Sequence, residues 1–182
     1  MNSVRKPSGR WMWLVALSIM LTACAQATPD EQIPASLCGT PVGKRLSEPL
    51  LRPLGEVKEW TSAGREVGQS YWCVVSVGKH DALRFNFARH GGPADVTEAA
   101  SPGDSVTGLQ NPRPLRLADG AVAGDDGAIA TTRCRDGSGA DHFTLALKVT
   151  RGKFDADRRV AIERFMRAYM PATVRTLGCL KR

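Results

Sequence analysis

No stretch of the 182-residue chain reaches the roughly 20 consecutive apolar residues that a membrane-spanning helix requires. No fixed-period repeat occurs either, which excludes solenoid and propeller architectures. Histidine is scarce, at three residues, and no Cys-x-x-Cys pair is present, so a structural zinc site has no ligand pattern to stand on. Phosphate-binding and dinucleotide glycine fingerprints are missing, and no cofactor is expected. The nucleophile elbow of serine hydrolases is missing too: Ser138, in Asp136-Gly137-Ser138-Gly139, lacks the first glycine of that motif and reads as turn. Lysine and arginine form no long run, so nucleic acid is not an expected partner.

What the chain does carry begins with its front. Arg5, Lys6 and Arg10 precede an apolar run of eleven residues, Trp11 to Leu21, and the first acidic residue is Asp30. That is the layout of an export signal. The next residues, Leu21-Thr22-Ala23-Cys24, resemble the lipobox of bacterial lipoproteins. The resemblance implies a signal peptide over 1–23, cleavage before Cys24 and a diacylglyceryl group on its thiol. A second reading is cleavage after Ala27, in Ala25-Gln26-Ala27, which would discard Cys24 and release a soluble secreted protein. Loss of residues 1–23 removes three of the 25 basic residues and none of the 18 acidic ones, leaving 22 against 18, a charge of +4.

With Cys24 assigned to lipid, Cys38, Cys73, Cys134 and Cys179 remain, an even number in a compartment that permits disulfides. Four cysteines allow three connectivities, and sequence alone does not choose among them. The local pairing, Cys38 with Cys73 and Cys134 with Cys179, is preferred because each bridge would join a helix end to a strand. Each closure is worth roughly 3–4 kcal/mol in the chain-entropy account.

Residues 24–36, with two prolines and no apolar period, read as a flexible tether, and the domain is expected over 37–182. Leu46, Leu50, Leu51 and Leu54 suggest a short helix over 42–52, weakened by Pro49 and Pro53. Gly55 to Gly68 reads as a polar connection. Tyr71, Cys73, Val75 and Val77 alternate with Trp72, Val74 and Ser76; after a turn at 78–81, Leu83, Phe85 and Phe87 alternate in the same way, giving a first hairpin. Residues 90–120 are rich in Gly and Pro and read as a long mobile or functional loop, with a short edge strand suggested at Leu115 and Leu117. A second hairpin follows from Ala128–Cys134 and Phe143–Thr150. Asp155 caps a last amphipathic helix, in which Pro171 predicts a kink or a division and Gly178 a stop. The order predicts an α+β domain: a mostly antiparallel sheet of two hairpins, a short N-terminal and a longer C-terminal helix packed on it, and two disulfides.

Chemistry is thin in this pattern. His80, His90 and His142 would meet only if strand ends coincide, and Asp125-Asp126-Gly127 reads as a turn rather than a calcium loop. Arg84, Arg89 and His90, beside Lys79, are candidates for a basic contact surface next to the long loop. No metal site is expected. The lipobox, Cys38-Gly39, the strand Tyr71 to Val77 and Leu177-Gly178-Cys179 together resemble small secreted lipoproteins of high-GC Gram-positive bacteria. That resemblance implies a lipid-anchored protein on the outer face of the cytoplasmic membrane. Its partners would be the membrane, through Cys24, and an envelope ligand or protein bound without catalysis. An envelope hydrolase using Asp125, Asp126 or Asp141 is the alternative, and a purely structural surface protein a third.

Membrane fractionation with mass spectrometry of the mature N-terminus should find a lipid-modified Cys24 at position one. An unmodified chain beginning at Thr28 would overturn the lipobox reading.

Overall fold

The computed structural model describes residues 33–62, 70–104, 107–135 and 139–179. The expected leader, Cys24 and most of the expected tether lie outside the described residues, as do Asp136, Gly137 and Ser138. The tail of that tether is part of the domain, because Ile33 is buried in the core.

The chain enters through a two-strand ribbon, β1 (Ser36–Leu37) and β2 (Thr40–Pro41), and α1 (Lys44–Leu51) follows. Pro49 is accommodated within that helix, and Leu50 and Leu51 are buried. The strands β3 (Val57–Thr61), β4 (Tyr71–Val77) and β5 (His80–His90) come next, then the single turn α2 (Val96–Ala99). Four more strands, β6 (Arg113–Pro114), β7 (Gly120–Ala123), β8 (Gly127–Arg133) and β9 (His142–Val149), precede α3 (Ala156–Thr176). One seven-stranded sheet results, in the order β3-β4-β5-β9-β8-β7-β6, with every neighbour antiparallel.

Two antiparallel ribbons therefore meet at β5 and β9. The α+β class and both expected hairpins are present, and the sheet is wider than the two hairpins alone. Three strands add to it, for different reasons. The edge strand β3 falls inside the expected polar connection, because a strand with one free side and little burial needs no apolar alternation. In β7, Gly-Ala-Val-Ala offers no large side chain, yet Ala121, Val122 and Ala123 are buried, with cover on both faces. The tiny edge strand β6 lies at 113–114, just ahead of the suggested Leu115 and Leu117.

Both long helices lie on one face. Inward residues Val75, Leu83, Phe85, Phe87, Leu145 and Leu147 meet Ile162, Phe165, Met166, Tyr169 and Met170 from α3 in a single core. Phe85 stacks on Tyr169 with ring centroids 4.9 Å apart, and Tyr169 on Phe165 at 4.8 Å. The buried Tyr169 hydroxyl donates to the Leu37 carbonyl at 2.8 Å, which ties α3 to the entry ribbon. Asp155 caps α3, accepting from the Arg158 amide at 3.0 Å. The helix is not divided at Pro171. The proline sits on its exposed side, where water can serve the carbonyl that loses its amide partner. Gly178, with φ of 70°, ends the helix in the left-handed conformation.

Both preferred disulfides are present, Cys38–Cys73 and Cys134–Cys179. The second joins the end of α3 to the end of β8, as expected. The first differs in kind: Cys38 lies in the turn between β1 and β2, so it fastens that ribbon, not a helix, to β4. Such bridges belong to an oxidising, extracytoplasmic compartment. Among the described residues, no helix is long and apolar enough to cross a membrane.

The stretch from 90 to 120 is no structureless loop. Its described residues cover half of the second sheet face, where Ala100 and Leu109 bury Val122, Ile129 and Ala146, with Val96 and Ala99 alongside. The approach is close enough to demand glycine beneath it: a Cβ on Gly127 would lie 2.9 Å from the Leu109 side chain and 2.2 Å from the Leu147 carbonyl. Asp95 caps α2, and the Thr107 hydroxyl donates to the Ala99 carbonyl at 2.6 Å.

Non-reducing peptide mapping should return the two bridges and no free thiol among the four cysteines; a Cys73–Cys134 peptide would contradict the fold. Closing 45 residues contributes about 4 kcal/mol in the chain-entropy account. The double variant Cys134→Ser, Cys179→Ser should lose close to that amount in denaturant unfolding.

Candidate functional site

Among the described residues the covering layer stops at β9, and none covers the outer face of β3, β4 and β5. Strand parity decides what stands there. Trp60 pairs with Val74, Val74 with Arg84, and Arg84 with Lys148, one row across the sheet. The next row runs Trp72, Asn86, Ala146. Trp72 sits between the buried Tyr71 and Cys73 on the same strand, so its indole is turned outward and is 57% exposed. Trp60 is 63% exposed.

Between these rows and the edge of the covering layer lies a groove of about 260 Å³. Trp72, Val74, Asn86 and Ala146 line it, Arg84 and Lys148 stand along one side, and Thr107 belongs to the wall. Both cations are engaged. The Arg84 guanidinium bonds Asp81 at 2.9 Å, and that contact, with a further bond from Ser76, holds the Asp81 carboxyl below the ordinary carboxylate range. Lys148 meets Asp126 at 2.8 Å and also donates to the Gly108 carbonyl. Asn86 differs: among the described residues its half-buried amide has no hydrogen-bond partner.

The basic surface expected from Arg84, Arg89 and His90 does not assemble as one patch. Arg84 is on the open face. Arg89 has the opposite parity and donates to the Leu177 carbonyl at 3.4 Å, at the end of α3 on the helix-covered face. His90 shares the face of Arg84 but lies six residues along the strand, about 20 Å away. Its ring is committed to the fold, with Nδ1 2.8 Å from the Gly92 carbonyl and Nε2 2.8 Å from the Thr144 hydroxyl. Thr144 in turn donates to Thr131 at 3.0 Å.

Of the three histidines, the sheet brings two together. His90 and His142 are register partners, with ring centroids 6.1 Å apart, while His80 is at the far end of β5. His142 also bonds Asp141 at 2.7 Å, and this bond, then the Gly92 amide, keeps the Asp141 carboxyl below its usual range. Beside them is a more open hollow of about 470 Å³, lined by Pro93, Asp119, Thr131, Arg133 and His142. Among the described residues, no Ser or Cys lines it. The only metal-like trio among the described residues, Cys38, Glu59 and Cys73, has both thiols in a disulfide.

Asp125 and Asp126 are buried and structural. Asp125 accepts from Asn111 at 2.7 Å and from Arg159 at 2.8 Å; the Asn111 amide, then the guanidinium, depress its carboxyl. Asp126 accepts the Gln110 amide at 2.9 Å and pairs with Lys148. Together they pin the covering layer to the β7–β8 turn and to α3.

Sequence reasoning missed Trp72, Asn86 and Lys148 as a group. The signal was parity, since Trp72 alternates with four inward residues and so had to face outward. No protein-family model, curated protein or solved structure matches this chain.

Because Asp125 and Asp141 titrate lower in the fold than the ordinary value of 3.8, their contribution is fully present above that pH and is lost as pH falls below it. Acid unfolding followed by circular dichroism should therefore begin only below about pH 4. Arg159→Met keeps the stem and removes the charge, and should raise the acid midpoint. An unchanged midpoint would show that the Asp125 pair contributes nothing to stability.

Proposed function

We propose that this chain is a lipid-anchored extracytoplasmic binding module that receives its ligand in the groove on the open half of the sheet. The observation that carries the reading is the unpartnered Asn86 amide, set beside an outward indole in a groove whose two cations each pair with a carboxylate. Ligand sites combine apolar lining with a few convergent polar groups, and this groove has that composition. The lipobox-like Leu21-Thr22-Ala23-Cys24 supports anchoring, and the two disulfides suit the outer side of the membrane. A binding role is favoured over hydrolysis because Asp125 and Asp126 are occupied by Asn111, Arg159, Gln110 and Lys148, and Asp141 by His142 and Gly92.

A photo-crosslinking amino acid in place of Trp72, introduced in the living cell, should give adducts that run larger than the monomer or carry added mass. The same group in place of Phe154, exposed ahead of α3, should give none. Adducts at 154 with none at 72 would move the contact surface to the helical side.

A further inference from the structure

The geometry points to an uncharged glycan chain as the ligand of this groove, laid across the strands with one sugar ring stacked on Trp72 and its hydroxyls bonded to Asn86; this rests on the binding role proposed above. Three features converge on that chemistry.

The first is the pair of indoles. Trp60 and Trp72 lie on adjacent antiparallel strands and share a face, as diagonal neighbours with Cα atoms about 7–8 Å apart. Neither side chain bonds to any other described residue. An indole presents a flat apolar face with one polar edge, which complements a pyranose ring, whose C–H groups cover one face while its hydroxyls project around the rim. Two such platforms on neighbouring strands suit successive units of a chain.

The second is Asn86. A carboxamide offers both a donor and an acceptor, the complement of two adjacent hydroxyls that each donate and accept. Register places this amide between Trp72 and Ala146, so a ring lying on the indole has its rim over the amide.

The third is charge. Arg84 and Lys148 are each paired with a carboxylate of the same fold, Asp81 and Asp126, so the two cations bring no net positive charge to the groove. An anionic ligand would meet cations whose charge is already matched by a carboxylate of the fold, whereas a neutral polyol needs no net charge from the groove. An apolar peptide would leave the Asn86 amide without a partner in a desolvated contact, which is costly. A chain running across the strands meets the Thr107 wall at one end and passes over Trp60 at the open edge.

The test uses the full-length protein purified from the membrane fraction, in a detergent without a sugar headgroup. An array of neutral and acidic oligosaccharides is the first probe, with titration calorimetry on those that bind. Neutral oligosaccharides should bind and acidic ones should not bind better. Trp72→Ala and Asn86→Ala should each weaken binding by about tenfold or more, and Trp72→Phe by less. All three should leave thermal unfolding close to that of the parent. No neutral glycan bound anywhere on the array, or binding that survives both alanine variants, overturns the glycan. Two further probes separate this failure from that of the groove itself: phosphatidylcholine–phosphatidylglycerol vesicles, and self-association measured by light scattering. A response to either that Trp72→Ala abolishes would leave the groove as the binding surface with a different occupant. No Trp72-dependent response to any of the three probes would remove both.

Discussion

The antiparallel pairing of β5 with β9 is the constraint on which the rest of the molecule depends. Eight register pairs, from Leu83 with Val149 to His90 with His142, weld two ribbons that are far apart in sequence. That single register sets the side chains of both faces at once. Phe85 and Leu147 turn toward α3, and Arg84, Asn86, Ala146 and Lys148 turn away from it. A slip of one residue would exchange the two sets, placing Arg84 and Lys148 against Phe165 and Tyr169. The stacked Phe85, Tyr169 and Phe165 rings enforce the register from the helical side. The groove on the other side is thus fixed by the same register, and Phe85 and Leu147 belong both to its lining and to the core.

The same pairing explains why only half of the outer face is covered. The chain leaves β5 at one side of the weld and must reach the far edge to begin β6, and its path crosses β8 and β7. The described residues of 93–111 lie on that path, and their small buried cluster is what it leaves behind: Ala100 and Leu109 over Val122, Ile129 and Ala146. Asp125 and Asp126 fasten this layer from below, each using one oxygen for the layer and further bonds for Arg159 or Lys148. Among the described residues, none is carried over β3 and β4. The groove is the step at which the layer ends, so its wall and its floor come from segments about forty residues apart, Thr107 and Ala146.

Much of this was legible in the sequence where periodicity was strong. The alternation of Tyr71 to Val77 and of Phe143 to Val149 marked strands of the two hairpins, and Asp155 and Gly178 marked both ends of α3. The misses share a physical cause. β3 and β7 carry little large apolar surface, one because it is an edge and the other because it is sandwiched and needs small residues. The covering layer was unreadable because Ala100, Leu109 and two capped turns form a cluster too small and too irregular in spacing to show a period. The groove was half legible. Parity put Trp72 on the outside of its strand, but only the β4–β5–β9 register could set Asn86 beside it and Lys148 beside Arg84. Arg89 shows the reverse: proximity in sequence suggested a patch with Arg84, and alternation sends the two side chains through opposite faces.

Exposed tryptophan on the outer strands of a sheet is ordinarily a hazard, because an open edge with apolar neighbours invites another strand to add. The edge here is guarded in a particular way. Glu56 and Lys58 are both exposed and paired at 3.1 Å, and Glu59 on the inner side is held by the Cys38 amide. Charge of both signs therefore sits along the backbone edge, which disfavours strand addition, while the face beside it keeps its indoles. The arrangement discriminates between two kinds of contact. It blocks extension of the sheet through its hydrogen-bonding edge and leaves stacking on its face available, which is the separation that a binding surface built from a sheet requires.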